Sequence, residues 1–204
     1  MGGGIALIID FQHYMKIGLY FGSFNPVHNG HLIIATHFLN NTDVSQVWFI
    51  VSPHNPLKKS ASLLNEYHRL HLVKCAIEGE TKLKASNIEF KLPKPSYTID
   101  TLTYLKEKYP DHEFSVIMGS DSYCNIDKWK NYQQLLRDYS IYIFRRPGFE
   151  PGELTGTNIR IVDAPLLEIS STQIRKLIKE GKSIRYLVPD AVKEEIERNS
   201  YYRK

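Results

Sequence analysis

Short apolar runs alternate with amphipathic stretches along most of the chain. Strand-length runs rich in apolar and β-branched residues occur at 16–21, 47–52, 83–90, 113–118, 140–144 and 160–162. Between them, apolar residues recur at helical spacing in the stretches 31–40, 66–78, 97–109, 129–137, 172–180 and 190–199. Strands that alternate with helices indicate βαβ units with right-handed crossovers. We therefore predict an α/β fold with a doubly wound, mostly parallel sheet.

The N-terminal segment does not follow this pattern. Residues 1–14 combine three glycines with a short apolar run and precede a second methionine, Met15. A basic segment and a small-residue cleavage site are both missing, so a signal peptide is not indicated. We interpret 1–14 as a leader outside the fold, either from an upstream start or added to the protein. We interpret 15–204 as one domain, because no linker or repeat divides it.

Composition narrows the classes of protein that fit. The chain is 42% hydrophobic and 24% charged, which is typical of a globular domain, and no apolar run approaches the ~20 residues needed to cross a membrane. A net charge of +4 is too small to indicate a nucleic-acid binder. Cys75 and Cys124 have no metal-binding spacing and are too few for a disulfide framework. These features predict a cytoplasmic protein with neither a membrane nor a nucleic-acid partner.

The stretch 22–31 (GSFNPVHNGH) lies where the first predicted strand is followed by the first helix. Gly22 and Gly30 permit close approach of a backbone to a ligand, and a helix N-terminus favours phosphate. His28 and His31 can donate hydrogen bonds to oxygens that gain charge during a reaction. A lone histidine is usually solvent-exposed or a satisfied core group, but two around a glycine at a strand end favour a catalytic role. Zinc fits poorly, because a third ligand at a suitable spacing is missing.

A second polar cluster, 169–175 (ISSTQIR), begins a predicted helix near the C-terminus. Ser170, Ser171 and Thr172 are of the types that cap helices, and Arg175 falls in the first turn. Capping of the helix N-terminus accounts for one of these three hydroxyl groups. The group also forms an anion site, because N–H groups, hydroxyls and a guanidinium converge on phosphate oxygens. The residues alone leave both interpretations open.

Together the two motifs resemble those of the H-x-G-H nucleotidylyltransferases, which carry an HxGH loop after the first strand and an ISSTxIR-like stretch near the C-terminus. Within them the chain is similar to the bacterial nicotinate mononucleotide adenylyltransferases over residues 15–201. Further matches are 53–58 (PHNPLK), 96–102 (SYTIDTL), 119–129 (GSDSYCNIDKW) and 145–148 (RRPG). The resemblance implies a single Rossmann-like nucleotidylyltransferase domain at 15–204.

The resemblance also implies transfer of AMP from ATP to the phosphate of a pyridine mononucleotide, giving a dinucleotide and pyrophosphate. A phosphate monoester has a second pKa of about 6, so this acceptor is mostly ionised at neutral pH and needs no general base. The protein then has to position the two substrates and to stabilise the charge that develops during the transfer. His28 and His31 would contact the ATP phosphates, and Arg175 with its neighbouring hydroxyls would hold the β and γ phosphates. Mg²⁺ would bridge phosphate oxygens without a protein cage.

For the acceptor, similarity implies that Trp129 stacks on the pyridine ring and that the backbone at Thr98 binds it. Asp121 would accept ribose hydroxyls, while Lys58 and Arg146 would meet phosphates or adenine. Taken alone, Trp129 fits a core aromatic, Asp121 a helix cap, and the two cations solvated side chains. The complete predicted set is His28, His31 and Arg175 as catalytic residues, and Gly22, Ser23, Phe24, Lys58, Thr98, Gly119, Asp121, Trp129, Arg146, Ser170, Ser171 and Thr172 as substrate-binding residues, with no metal ligand.

Two departures from the family pattern concern the choice of acceptor. Asn25 stands where the commoner opening, Gly-Gly-Thr-Phe-Asp-Pro, has an aspartate, and 91–95 (KLPKP) lacks an arginine and a glycine often found there. The alternatives are an adenylyltransferase acting on nicotinamide mononucleotide or phosphopantetheine, a cytidylyltransferase, and a non-catalytic nucleotide-binding module. The sequence leaves the pyridine substituent and the oligomeric state open, with a homo-oligomer as one alternative.

Overall fold

The computed structural model of the protein describes residues 14–53, 63–156 and 158–203. The strands are β1 (Lys16–Gly22), β2 (Gln46–Val51), β3 (Leu83–Ser86), β4 (Glu113–Gly119), β5 (Ser140–Phe144) and β6 (Ile159–Val162). The helices are α1 (Asn29–Asn41), α2 (Glu66–Ala76), α3 (Thr98–Lys108), α4 (Ser120–Tyr123), α5 (Tyr132–Asp138), α6 (Ser171–Lys179) and α7 (Asp190–Arg198). Two 3₁₀ turns cover Ile88–Lys91 and Ile126–Lys128.

All the strand pairs are parallel and form one sheet in the order β3-β2-β1-β4-β5-β6. This order confirms the doubly wound α/β fold. The sheet changes its direction of winding between β1 and β4, and ligands of such sheets bind in the crevice beyond the carboxyl ends of the strands at that point. The ends of four strands are in register there, because Gly22 pairs with Val51 and Gly119 with Phe144.

Both faces of the central strands are buried, which explains why the strands read as continuous apolar runs. On one face Phe49 and Phe144 pack under α1, α2, α6 and α7. On the other face Leu19 and Val116 pack under α3 and α5. Alternate residues of a strand point to opposite faces, so each of the central strands β1, β2, β4 and β5 contributes to both cores. The sheet is therefore a rigid platform for the loops at its carboxyl edge.

Two predicted elements differ from the structure. The run 83–90 is not one strand: β3 ends at Ser86, whose hydroxyl accepts a hydrogen bond from the Ile88 N–H at 3.3 Å and turns the chain into a 3₁₀ turn. The helix predicted at 129–137 begins only at Tyr132, because Asn131 has a left-handed backbone with φ of 51°.

The division into a leader and one domain stays a prediction. Residues 1–13 of the leader lie outside the described residues. No helix in the described part of the chain is long and apolar enough to span a membrane.

Candidate active site

The loop between β1 and α1 crosses the carboxyl edge of the sheet and is held by Phe24. This residue has a φ of 44°, and its side chain is 2% exposed. A Cβ at Gly22 would lie 2.8 Å from the Phe24 ring, so the glycine is needed for this packing. The ring in turn meets His31 edge-on, with 5.0 Å between centroids. The Phe24 side chain thus supports the site from below, which leaves only its backbone for the predicted contact with substrate.

His28 and His31 form a stacked pair, with ring centroids 3.7 Å apart. The backbone N–H of His28 donates a hydrogen bond to Nδ1 of His31 at 3.2 Å. A nitrogen that accepts a hydrogen bond carries no proton, so the neutral His31 ring bears its proton on Nε2. Nε2 is therefore a hydrogen-bond donor of fixed orientation.

His28 is kept neutral by its surroundings. Its side chain is 3% exposed, and its Nδ1 is buried without a hydrogen-bond partner among the described residues. Burial, with a smaller contribution from the positive charge of Arg146, lowers the pKa of His28 from the ordinary value of 6.5 to about 3. At neutral pH the ring has one N–H donor and no positive charge. It can bind a phosphate oxygen by a hydrogen bond but cannot neutralise it.

Gly30 leaves room for the His28 ring. A Cβ at Gly30 would lie 3.0 Å from Nδ1 and 3.1 Å from Cε1 of His28, whereas ordinary contacts begin at 3.4 Å. The glycine of the H-x-G-H motif is therefore explained by packing against the first histidine.

Arg146 lines one small cleft together with His28, Gly30 and His31. Its backbone N–H donates to the Ser120 hydroxyl at 2.8 Å, and its Nε lies 3.6 Å from Oδ1 of Asp121. A Cβ at Gly119 would approach Oδ1 of Asp121 to 2.3 Å and Cγ of Arg146 to 3.1 Å. The predicted residues at the end of β4 thus lie together with the arginine that follows β5.

The start of α6 is attached directly to the loop after β1. The Ser171 hydroxyl donates to the Pro26 carbonyl at 2.9 Å, and Nη1 of Arg175 donates to the Asn25 carbonyl at 2.7 Å. The Ser170 hydroxyl accepts from a backbone N–H of the first turn of α6 and is the helix cap. The capping interpretation therefore holds for one hydroxyl. Ser171 and Arg175 join the two sequence motifs.

Arg175 also contacts its own helix. Its Nη2 donates to the Thr172 hydroxyl at 3.3 Å, so Thr172 helps to orient the guanidinium.

Asn29, inside the H-x-G-H motif, was not singled out by sequence reasoning. Its backbone N–H donates to the Leu187 carbonyl at 2.9 Å, and its side-chain amide donates to the Tyr186 carbonyl at 2.7 Å. These two bonds tie the N-terminus of α1 to the segment that precedes α7. A single asparagine inside a short motif gives no sequence signal for such a contact.

Trp129 and Thr98, the two residues predicted to bind the pyridine ring, lie apart from the histidines. Trp129 is half-buried against the core on the opposite face of the sheet, together with Tyr97, and Thr98 begins α3 on that face. Packing of Trp129 against the core agrees with its interpretation as a core aromatic, while its exposed part remains able to contact a ligand. Lys58 lies outside the described residues.

Below the start of α3 lies Glu89, a second residue that the sequence analysis did not single out. It is 2% exposed and accepts hydrogen bonds from the hydroxyls of Ser96 at 2.9 Å and Thr101 at 3.0 Å. Burial raises the pKa of its carboxyl group, and the hydroxyl donors partly oppose this. Glu89 therefore fixes the turn that leads to Thr98.

The described residues contain no group of three or more His, Cys, Asp and Glu side chains that could hold a metal ion. The donors at the carboxyl edge of the sheet are neutral imidazoles, hydroxyls and guanidinium groups. This donor set suits phosphate oxygens. A doubly wound sheet with such a site at its switch point defines a nucleotide-binding protein of the H-x-G-H nucleotidylyltransferase class.

Comparison with known proteins agrees with this class. The model of the cytidylyltransferase-like family matches residues 19–177. A Flavobacterium johnsoniae protein named "probable nicotinate-nucleotide adenylyltransferase" is 52% identical, over 93% of this chain and 100% of its own. A Cytophaga hutchinsonii protein of the same name is 53% identical, over 92% of this chain and 98% of its own. The chain belongs to the cytidylyltransferase-like family and, within it, to the nicotinate-nucleotide adenylyltransferases.

A solved structure with the same fold is the nicotinic acid mononucleotide adenylyltransferase of Plasmodium falciparum complexed with NaAD. It superposes with a TM-score of 0.77 at 20% identity and covers 93% of this chain and 98% of its own. The complex of that protein with APC gives a TM-score of 0.76. At this level of identity the likeness concerns the fold.

Proposed function

We propose that this protein transfers the adenylyl group of ATP to the phosphate of nicotinate mononucleotide, which yields nicotinate adenine dinucleotide and pyrophosphate in NAD biosynthesis. The observation that carries the proposal is the 52% identity to a nicotinate-nucleotide adenylyltransferase over nearly the whole of both chains. The contact of Arg175 with the carbonyl of Asn25 supports it, because it brings both sequence motifs of the class into direct contact.

In this reaction a phosphate oxygen of the mononucleotide attacks the α-phosphorus of ATP. The bond from the α-phosphorus to the oxygen that bridges it to the β-phosphorus breaks, and pyrophosphate leaves. The attacking phosphate is mostly ionised at neutral pH, since its second pKa is about 6. The protein therefore has to align two polyanions and stabilise the charge that develops on the transferring and leaving groups.

The two histidines act in this scheme as oriented, neutral donors. His31 offers its Nε2 proton, and His28 offers the single proton of a ring whose pKa is about 3. A neutral donor binds a phosphate oxygen without forming a tight ion pair that pyrophosphate would have to break on leaving. Fixed donors of this kind contribute most where charge develops in the transition state.

Positive charge comes from the arginines. Arg175 uses one bond to the Asn25 carbonyl and one to the Thr172 hydroxyl, and a guanidinium has five N–H donors. The others are available to the β and γ phosphates. Arg146, which lines the cleft of the two histidines, would contact the adenine or phosphate side of ATP. Mg²⁺ would be held by the phosphates of ATP rather than by side chains of this protein, and it would supply neutralisation of part of their charge.

For the acceptor we propose the roles that the resemblance implies. Trp129 would stack on the pyridine ring, the backbone at Thr98 would bind its substituent, and Asp121 would accept ribose hydroxyls. Gly22 and Ser23 would line the phosphate path, with Lys58 as a further phosphate contact.

The proposal is tested by measuring pyrophosphate release with ATP and Mg²⁺ while nicotinate mononucleotide, nicotinamide mononucleotide and phosphopantetheine are offered in parallel. Fast release with nicotinate mononucleotide alone is expected. Release with only one of the other acceptors would support adenylyl transfer but contradict nicotinate mononucleotide as the substrate. If no pyrophosphate is released with any of the three acceptors, the result would contradict an enzymatic role and favour a nucleotide-binding module.

The same assay tests the histidine pair. His31→Ala removes a fixed donor to developing charge, so we expect turnover to fall by a factor of about a hundred or more. His37→Ala is the matched control, because His37 lies on the same helix and its side chain contacts Asn41 of that helix. Near-normal turnover of His31→Ala would contradict the catalytic role of His31.

A further inference from the structure

Arg69 of α2 is a fully buried cation, and all of its side-chain hydrogen bonds to the described residues go to backbone carbonyls. Its side chain is 0% exposed. Nη1 donates to the carbonyls of Ser23 at 2.6 Å and Ser52 at 2.8 Å. Nη2 donates to the Pro53 carbonyl at 3.0 Å, and Nε donates to the Leu64 carbonyl at 2.7 Å. All four hydrogen bonds thus reach chain segments at the carboxyl edge of the sheet.

Packing α2 on the sheet does not require such a residue. Removing a guanidinium from water is costly, and burial lowers the pKa of Arg69. Well-packed apolar side chains generally hold a helix on a sheet at least as well as buried charges do. The neighbouring Leu70, Leu72 and Val73 of α2 already serve this purpose. The four bonds of Arg69 therefore indicate that its role is to fix the position of the loops that it joins.

The bond to Ser23 fixes the direction of one peptide group of the candidate site. In a trans peptide the C=O and the following N–H point in opposite directions. Because the Ser23 carbonyl is directed at Arg69, the Phe24 N–H is directed away from it. The left-handed backbone of Phe24 keeps this orientation, with its ring locked in the core. A backbone N–H presented at the end of β1 is a donor for a phosphate oxygen.

The remaining bonds connect this peptide to the end of β2. Ser52 and Pro53 follow β2 directly, and Leu64 stands just before α2. Asn25 adds a parallel link, since its side-chain oxygen accepts a hydrogen bond from the Leu64 N–H at 3.2 Å. One guanidinium thus sets the relative position of the chain that follows β1 and the chain that follows β2.

We propose that Arg69 is a positioning residue for adenylyl transfer, which aims the Phe24 N–H at a substrate phosphate and holds the end of β2 in place beside it. This inference rests on the proposed function. Arg69 does not touch substrate, and it acts through the carbonyl of Ser23.

The first test compares Arg69→Lys with a control variant of the core, Leu105→Ala. Lysine keeps the charge but lacks the planar fork that serves several carbonyls at once. Leu105 is fully buried in α3 on the opposite face of the sheet. Both variants are expected to melt earlier than the wild type, so activity is measured well below both melting temperatures. We expect kcat/KM of Arg69→Lys to fall about tenfold or more, with a raised KM for at least one substrate, while Leu105→Ala stays within about twofold of the wild type.

Two outcomes of this comparison would overturn the inference. One is an unchanged kcat/KM for Arg69→Lys. The other is an equal loss of activity in Leu105→Ala at an equal loss of melting temperature, because Arg69 would then act through stability alone.

The second test uses the unmodified protein and decides the question if Arg69→Lys does not fold. Amide hydrogen exchange at Phe24 is followed with no ligand, with ATP and Mg²⁺, and with nicotinate mononucleotide. We expect exchange to slow with at least one substrate, and unchanged exchange with both would overturn the inference. This readout needs no turnover, so it separates failure of the Arg69 inference from failure of the proposed function, which would appear as a wild-type protein that releases no pyrophosphate.

Discussion

Gly30→Ala is a sharp test of the proposed histidine pair, because it adds a single methyl group beside His28. The new Cβ would lie 3.0 Å from Nδ1 and 3.1 Å from Cε1 of that ring, against an ordinary contact range of 3.4–4 Å. The ring cannot retreat far, since it already stacks on His31 at 3.7 Å and is 3% exposed. Relief of the contact therefore requires displacement of one or both imidazoles by about half an ångström.

The magnitudes predict that activity suffers more than stability. Alanine in place of glycine within a helix gains about 1 kcal/mol, and overpacking a buried site costs about 1–3 kcal/mol. Because the contact is short by only a few tenths of an ångström, the cost falls near the lower end of that range and the two contributions largely offset each other. A misplacement of about 1 Å in a catalytic group can cost a factor of about a hundred. For the smaller shift we expect kcat to fall by about tenfold, with little change in melting temperature.

The assay measures initial rates of pyrophosphate release at saturating ATP and nicotinate mononucleotide, together with thermal unfolding. Gly152→Ala is the matched control, because a Cβ added there meets nothing within 4 Å. Wild-type kcat in Gly30→Ala would refute the reasoning that the geometry of His28 limits catalysis.

Three further predictions concern charge. The folded-state pKa of His28 is about 3 against an ordinary 6.5, so the stability that its neutral ring contributes is complete above about pH 6.5. It is lost as the pH falls below that value, by about 1.4 kcal/mol per pH unit. Urea unfolding near neutral pH and near pH 5 should therefore show a smaller loss of unfolding free energy for His28→Asn than for the wild type. The pKa of Glu89 is raised in the folded state, so the unfolded chain loses this proton at a lower pH and rising pH destabilises the wild type. The melting temperature of Glu89→Gln relative to the wild type should therefore increase from acidic to alkaline pH, and a constant difference would contradict a buried, titrating carboxyl group. Arg175→Lys loses the planar guanidinium fork that reaches the Asn25 carbonyl, so the KM for ATP should rise by about tenfold in steady-state assays. The melting temperature should change little. An unchanged KM would exclude Arg175 from the ATP site.

The sequence was sufficient to predict the sheet and the motif that starts α1. Strands buried on both faces read as short apolar runs, and the loop after β1 stands out because it holds two histidines and two glycines at a strand end. The resemblance correctly led to the nicotinate-nucleotide adenylyltransferases. These features are local in sequence, so they can be recognised without the structure.

The supporting residues were not predictable in this way. Arg69 and Glu89 are charged residues whose burial depends on loops distant in sequence, and charged residues are usually solvated. The bond between Arg175 and Asn25 joins positions 150 residues apart, so only the fold reveals it. The strand and helix boundaries at 83–90 and 129–137 were wrong because a serine hydroxyl and a left-handed asparagine redirected the chain.

The central claim is that the phosphate of nicotinate mononucleotide attacks the α-phosphorus of ATP. The most direct measurement supplies nicotinate mononucleotide with heavy oxygen in its phosphate, together with unlabelled ATP and Mg²⁺, and follows both products by mass spectrometry. The account predicts that all of the label appears in nicotinate adenine dinucleotide and none in pyrophosphate. Label in pyrophosphate, or turnover of ATP without a labelled dinucleotide, would contradict it.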